Sequence, residues 1–345
     1  MKTNLIKLTC GLAMLGVATM AQAQIYTTLN APLSHDWTSA DGISGNNIVG
    51  GYTDSSGHES GYLYNGSTWM VLNDPLAVYG TIAFGIDGNN IVGKYNDSLN
   101  RTHGFLYNGS TWTTLDDPFS VYGTYPYGIN GNNIVGYYED SSGTDHGFLY
   151  NGSTWTTLDD PLGVQTIASG IDGNNIVGFY IDSSTHHGFL YNGSTWTTLN
   201  DPLGVNGTSA AGISGNNIVG NYWDSSGAHG FLYDGSTWTT LNDPLGVNAT
   251  YAAAISGNNI VGSYYDGSGV PHGFLYNGST WTTLNDPLGV KGTRAYGIDG
   301  NNIVGSYFDS AGYDHGFIAS VPEPSMLALA DLGGLSLLLF RRRKS

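Results

Sequence analysis

Cysteine is almost missing from this chain. The only one is Cys10, inside a segment that reads as a cleaved leader. The mature chain therefore has no disulfide, no thiolate metal site and no cysteine nucleophile. Positive charge is scarce as well. Of ten basic residues, only Lys94, Arg101, Lys291 and Arg294 fall between residues 24 and 320. The whole chain carries a formal charge of −17, and this body is more acidic still. Such a surface repels nucleic-acid phosphates, which basic residues must neutralise. It also repels anionic lipid. Glutamate is rare: Glu59 and Glu139 are the only two in the body, both expected in loops. No stretch of the body has a helix-length apolar period. What is abundant is Gly, 52 residues in all, with Asn, Ser, Thr and Tyr. That composition fits short strands joined by tight turns.

The ends differ from the body. Residues 1–23 have a basic start (Lys2, Lys7), an apolar run and an Ala21-Gln22-Ala23 cleavage site, as a secretory signal peptide does. Residues 321–345 hold Pro322-Glu323-Pro324, an apolar segment from Met326 to Phe340, and a basic end at Arg341–Lys344. As a helix that apolar segment would span roughly 22 Å, short of the roughly 30 Å hydrocarbon core. Asp331 interrupts it at an insertion cost of about 2.5–3.5 kcal/mol. The three parts in this order resemble the PEP-CTERM sorting tail of Gram-negative bacteria. The resemblance implies only transient residence in the inner membrane, processing by an exosortase-type enzyme, and a secreted or cell-surface destination in the extracellular matrix.

Between the ends the sequence repeats itself. HGFLYNGSTWTTLNDPLGV runs from His187 to Val205 and again from His272 to Val290. GNNIVG occurs seven times, beginning at Gly45, Gly88, Gly131, Gly173, Gly215, Gly257 and Gly300. A period of 42 or 43 residues is that of a four-stranded propeller blade. In one unit, Thr195–Leu199 reads as strand a, the segment around Ala210–Ile213 as strand b, Asn217–Asp224 as strand c and His229–Tyr233 as strand d. The intervening GNN, NGS and DSSG stretches supply turn residues. The mature chain opens with IYTTLNAPL, a strand a without its predecessors, and the repeats end with HGFIAS, a strand d without a successor. The expectation is an all-β, seven-bladed β-propeller over residues 24–320, closed by the N-terminal strand completing the last blade. Closure of this kind removes exposed sheet edges.

The repeated unit, His-Gly-Phe-Leu-Tyr followed by Gly, Trp, Leu, Gly-Ile and Ile-Val-Gly, resembles the bacterial extracellular HAF repeat, with Gly in place of the usual Ala. The resemblance implies an exported repeat protein and no settled activity.

Chemistry is harder to read. His103, His146, His187, His229, His272 and His315 hold equivalent places. Strand d is third from the axis, so matched residues diverge and cannot share an ion. They are expected to brace turns. Aspartates recur with the blade, so no pair stands out as the two carboxylates of a glycosidase. No nucleophile elbow, P-loop or zinc motif is present, and no catalytic residue, metal site or cofactor is assigned. Variation among the seven units concentrates in the a–b and c–d loops, which emerge on one face. Trp37, Tyr79, Phe84, Tyr122, Tyr125, Tyr127, Tyr251, Lys291, Arg294 and Tyr296 are placed there ahead of strand b, and Trp223, Tyr265 and Phe308 at the end of strand c. Aromatic faces beside Asn and Asp suit carbohydrate. The leading expectation is a non-catalytic propeller binding glycan or protein in the envelope or matrix, with exopolysaccharide or envelope proteins as partners. An acidic protein on an acidic polymer would need bridging cations, so calcium dependence is expected. The alternatives are a propeller lyase or hydrolase, which predicts one asymmetric acidic or histidine cluster at the axial mouth, and a self-assembling coat protein.

Overall fold

The computed structural model describes residues 24–321. Its regular structure is entirely β: 28 strands and, among the described residues, no helix. The signal-peptide residues Ala21 and Ala23 and the tail motif Pro322, Glu323 and Pro324 lie outside the described residues.

The strands pair antiparallel in groups of four, each in the spatial order b, c, d, a, as in Gln165–Asp172, Asn175–Ile181, His186–Tyr191 and Trp196–Leu199. In the unit read above, the strands are Thr208–Ser214, Asn217–Trp223, Ala228–Tyr233 and Trp238–Leu241. Strand b is longer than the sequence suggested. The b–c turns have Gly at positive φ, as at Gly45 (φ 59°), where a residue with a Cβ is strained.

The last group is completed from the other end of the chain. Its strands b, c and d are Thr293–Asp299, Asn302–Phe308 and Asp314–Ser320, and Ile25–Leu29 pairs with Asp314–Ser320 in the register Ile25↔Ser320 to Leu29↔Gly316. Every b strand contacts the b strand of the next group, and Thr293–Asp299 contacts Trp37–Ser44. A run of hydrogen bonds follows the same order. The last side chain of each b strand accepts from the turn Gly amide of the following group, from Ser44 with Gly88 (3.1 Å) to Ser256 with Gly300 (3.2 Å). Asp299 accepts from Gly45 at 2.6 Å.

The core lies between groups. Val177 and Leu199 of one group pack with Ala210, Ile218, Tyr222 and Phe231 of the next. The same positions recur in the cluster of Val304 and Leu29 with Ala40, Ile48, Tyr52 and Tyr62. Strand c is apolar at consecutive positions because both of its faces are covered: Ile218 and Val219 are fully buried. The histidines brace turns as expected. His187 places Nδ1 3.0 Å from Asn200 Oδ1 at the end of strand a and Nε2 3.2 Å from Asp182 Oδ2 in the c–d turn. Its ring stacks on Tyr180.

Candidate functional site at the axial mouth

Each b strand breaks register with its c strand at one place: Ala40/Gly42, Ala83/Gly85, Pro126/Gly128, Ala168/Gly170, Ala210/Gly212, Ala252/Ala254 and Ala295/Gly297. One residue is left unpaired in each case, a β-bulge, which re-aims a side chain. The bulged residues are Asp41, Phe84, Tyr127, Ser169, Ala211, Ala253 and Tyr296. They flank positions that scarcely vary: Thr and Ala before them, Gly-Ile after them. A cavity of about 230 Å³ is lined by residues of all seven b strands. It is the axial space, and the bulges border it.

Nearer the starts of the b strands lies a larger cavity of about 500 Å³. Trp37, Phe84, Tyr127 and Tyr296 supply its aromatic surface; Ser39, Asp41 and Asp314 supply its polar groups, and Ile82 and Ser169 complete it. Phe84 and Tyr127 meet edge to face, 5.6 Å between centroids. The lining comes from part of the circle, because the bulge residues Ala211 and Ala253 are small. The mouth is therefore asymmetric although the scaffold repeats.

Two carboxylates share this cavity. Asp314 begins its strand d beside Trp37, which begins the first strand b. Burial raises the Asp41 carboxyl to about 7; the Ser39 hydroxyl, donating to Asp41 Oδ2 at 2.9 Å, opposes this, and the Asp314 charge adds to it. Burial also raises Asp314, to about 6, against the Ser306 hydroxyl and the charges of Arg294 and His315. Asp314 Oδ1 is buried with no hydrogen-bond partner. Tyr296 exchanges a hydrogen bond with Ser306 at 3.0 Å, and its phenol is raised, chiefly by burial. The Arg294 guanidinium is directed to the Tyr265 hydroxyl at 3.1 Å and lies 5.1 Å over the Phe308 ring.

The structure brings four of the anticipated residues, Trp37, Phe84, Tyr127 and Tyr296, into one cavity. They lie within strand b and not ahead of it, as do Tyr125, Tyr251 and Arg294. Tyr125 stacks on Tyr137 at 4.6 Å, with Lys94 6.0 Å from its ring. Tyr251 meets Tyr265 edge-on. Trp223 ends its strand c against His186. Tyr79, Tyr122 and Lys291 are exposed on a–b connections. Those connections also expose Leu or Phe after each proline, from Leu33 to Leu288. Asp41, Asp314 and Ser39 were missed. The signal for Asp41 was present: it alone is acidic among the seven residues that precede the Gly-Ile or Ala-Ile pair. Glu59 and Glu139 are strand-end residues, not loop residues.

Comparison with family models and with curated proteins yields no match. Solved structures do match. The β-propeller domain of the Trilobed protease from Pyrococcus furiosus, described as having an open velcro topology, aligns with a TM-score of 0.60 at 10% identity, over 84% of this chain and 95% of that one. A puromycin hydrolase mutant aligns at 0.56 and 13% identity, over 86% of this chain and 57% of that one. YCF48 bound to D1 peptide aligns at 0.51 and 12% identity, over 86% and 97%. At these identities the likeness establishes the fold: this chain is an all-β propeller.

Proposed function

We propose that the chain is a closed seven-bladed propeller that binds glycan at its axial mouth, exported by the signal peptide and processed through a PEP-CTERM/exosortase-type route to the cell surface or matrix. One observation carries the binding reading. The bulge residue bordering the axis varies among the seven blades while its immediate neighbours scarcely do, and it is aromatic in Phe84, Tyr127 and Tyr296 and acidic in Asp41. Repetition of the flanking residues maintains the scaffold; divergence at this ring concentrates stacking surfaces and polar groups in one cavity of ligand size. Closure is supported by the pairing of Ile25–Leu29 with Asp314–Ser320 and by the Gly45–Asp299 hydrogen bond.

The test is co-sedimentation of the full-length protein with exopolysaccharide of the producing organism, with and without calcium. The wild type pellets with the polymer, and Phe84→Ala with Tyr127→Ala weakens this about tenfold or more, the loss expected for two stacking faces. Equal pelleting of wild type and double variant places the contact elsewhere. Unchanged binding in chelator removes the calcium bridge.

A second reading is favoured by a specific observation. Asp41 and Asp314 form the asymmetric acidic cluster that a propeller hydrolase or lyase requires, and their raised pKa values suit proton transfer near neutrality. Polymer shortening in the same experiment, lost in Asp41→Asn, would replace the binding reading with this one.

A further inference from the structure

Six side chains give the cavity its chemical character: Trp37, Phe84, Tyr127 and Tyr296 with Asp41 and Asp314. Aromatic faces carry negative electrostatic potential, and carboxylates carry formal charge. Around a space of about 500 Å³, both attract cations. We infer that the cavity takes a protonated amine, and that the glycan class it fits carries free amino groups, as in a chain of amino sugars without N-acetyl groups. This inference rests on the glycan reading above.

A neutral sugar would satisfy only part of the site. Its hydroxyls could bond to Asp41 and Asp314 but would leave two desolvated carboxylates without a countercharge beyond Arg294. That guanidinium is held on Tyr265 and Phe308; it also donates to the Tyr296 hydroxyl and offsets part of the Asp314 charge, but it is not in the cavity lining. The other polar groups nearby are hydroxyls: Ser39 on Asp41, Ser306 on Tyr296 and Asp314, and Tyr62, which donates to the Ser39 carbonyl. His315 is engaged with Asn30 and Asp309. Asp314 Oδ1 is buried and unpartnered, and an ammonium group supplies the charged donor it lacks. A cation beside the two acids offsets the burial that raises both and the Asp314 charge that adds to it at Asp41. Aromatic rings with a desolvated carboxylate are the recognised means of selecting ammonium from neutral groups. The acidity of the molecule as a whole raises the local concentration of cationic chains.

The experiment compares two ligands that differ only at nitrogen. The full chain is titrated calorimetrically at pH 7 with glucosamine hexamer and with N-acetylglucosamine hexamer. The expected result is binding of the free-amine chain about tenfold or more tighter than the acetylated one, with the preference reduced to within about twofold in Asp41→Asn. The Asn side chain keeps the shape, and a melting temperature at or above that of the wild type shows the variant folded. Asp314→Asn reports the same preference independently. Equal affinity for the two hexamers, or a preference for the acetylated one, overturns the inference and leaves the glycan reading intact. Retention of the full preference in both variants overturns it as well. If neither hexamer binds, the ammonium assignment falls, while co-sedimentation with exopolysaccharide decides the glycan reading separately.

Discussion

At the scale of single residues, the aspartates of this chain fall into opposite classes. Those that open the c–d turns are half-buried and accept several hydrogen bonds. Asp182, bonded by the Ser184 and Thr185 amides and by His187, is lowered to about 2. Its contribution to stability is present above the unfolded carboxylate value and is lost as pH falls through about 2. Asp41 has the reverse sign. Its carboxyl is raised to about 7 by burial, so the folded state holds the proton more tightly than the unfolded chain does. That stabilisation is complete below about pH 4, the unfolded value, and is lost as pH rises through about 7. Asp41→Asn removes the titration. The variant should melt with the wild type at pH 4 and above it at pH 8.5. The gain should be on the order of 2 kcal/mol, discounted from the full shift because Asp41 is only half-buried. Thermal melts at the two pH values check this. A variant that is less stable at both would mean that the carboxylate is a structural partner and not a desolvated group.

At the scale of the strand, the bulge explains what the repeats could and could not disclose. Turn glycines, the consecutive apolar pair of strand c and the orphan strands at the two ends are local patterns, and each was legible. Strand b was not read to its full length. A bulge adds one residue to one strand, so alternation of side chains between faces slips at Asp41, Phe84 and their equivalents, and the slipped stretch looks like loop. The aromatic residues were therefore noticed but placed ahead of the strand that carries them, and Asp314 was hidden because it sits in a different repeat from Asp41. The bulge also dictates the last glycine of GNNIVG. A Cβ on Gly178 would lie 2.0 Å from the Ile167 carbonyl oxygen, and one on Gly93 equally close to that of Ile82. Only a residue without a Cβ lets the bulged strand approach. Gly178→Ala should lose about 3 kcal/mol, in the range of overpacking against rigid backbone. Gly173→Ala, with open space around its Cβ but φ of 59°, should lose only about 1 kcal/mol. Chemical denaturation of the two variants checks the order. Equal losses would mean that the inner pair relaxes and the close approach is not required.

At the scale of the whole molecule, the pairing Ile25↔Ser320 places the first and last strands side by side, both running between the same two ends of the propeller. Strand d starts at the end where the cavity opens, as Asp314 beside Trp37 makes plain. Ser320 and Ile25 therefore lie at the opposite end, so the chain enters and leaves the propeller away from the cavity. The same strand holds the proposed ring together. Removing residues 25–29 takes away the buried Leu29, which packs with Ala40, Tyr52 and Tyr62 of the first group, and the contact of Tyr26 with Phe317. It also exposes the whole edge of Asp314–Ser320. Loss of one buried leucine alone costs about 3 kcal/mol, and the unpaired edge adds to this. The deletion should lower the melting temperature by roughly 10 °C or more and promote association through the open edge. Adding the peptide IYTTLNAPL in excess should restore part of the loss, because a free strand can occupy the vacant place. A deletion that melts with the full chain would refute the ring, since an open array would have no use for this strand. Recovery by the peptide, but not by a scrambled one, would show that the last blade accepts its fourth strand by pairing and not by covalent continuity.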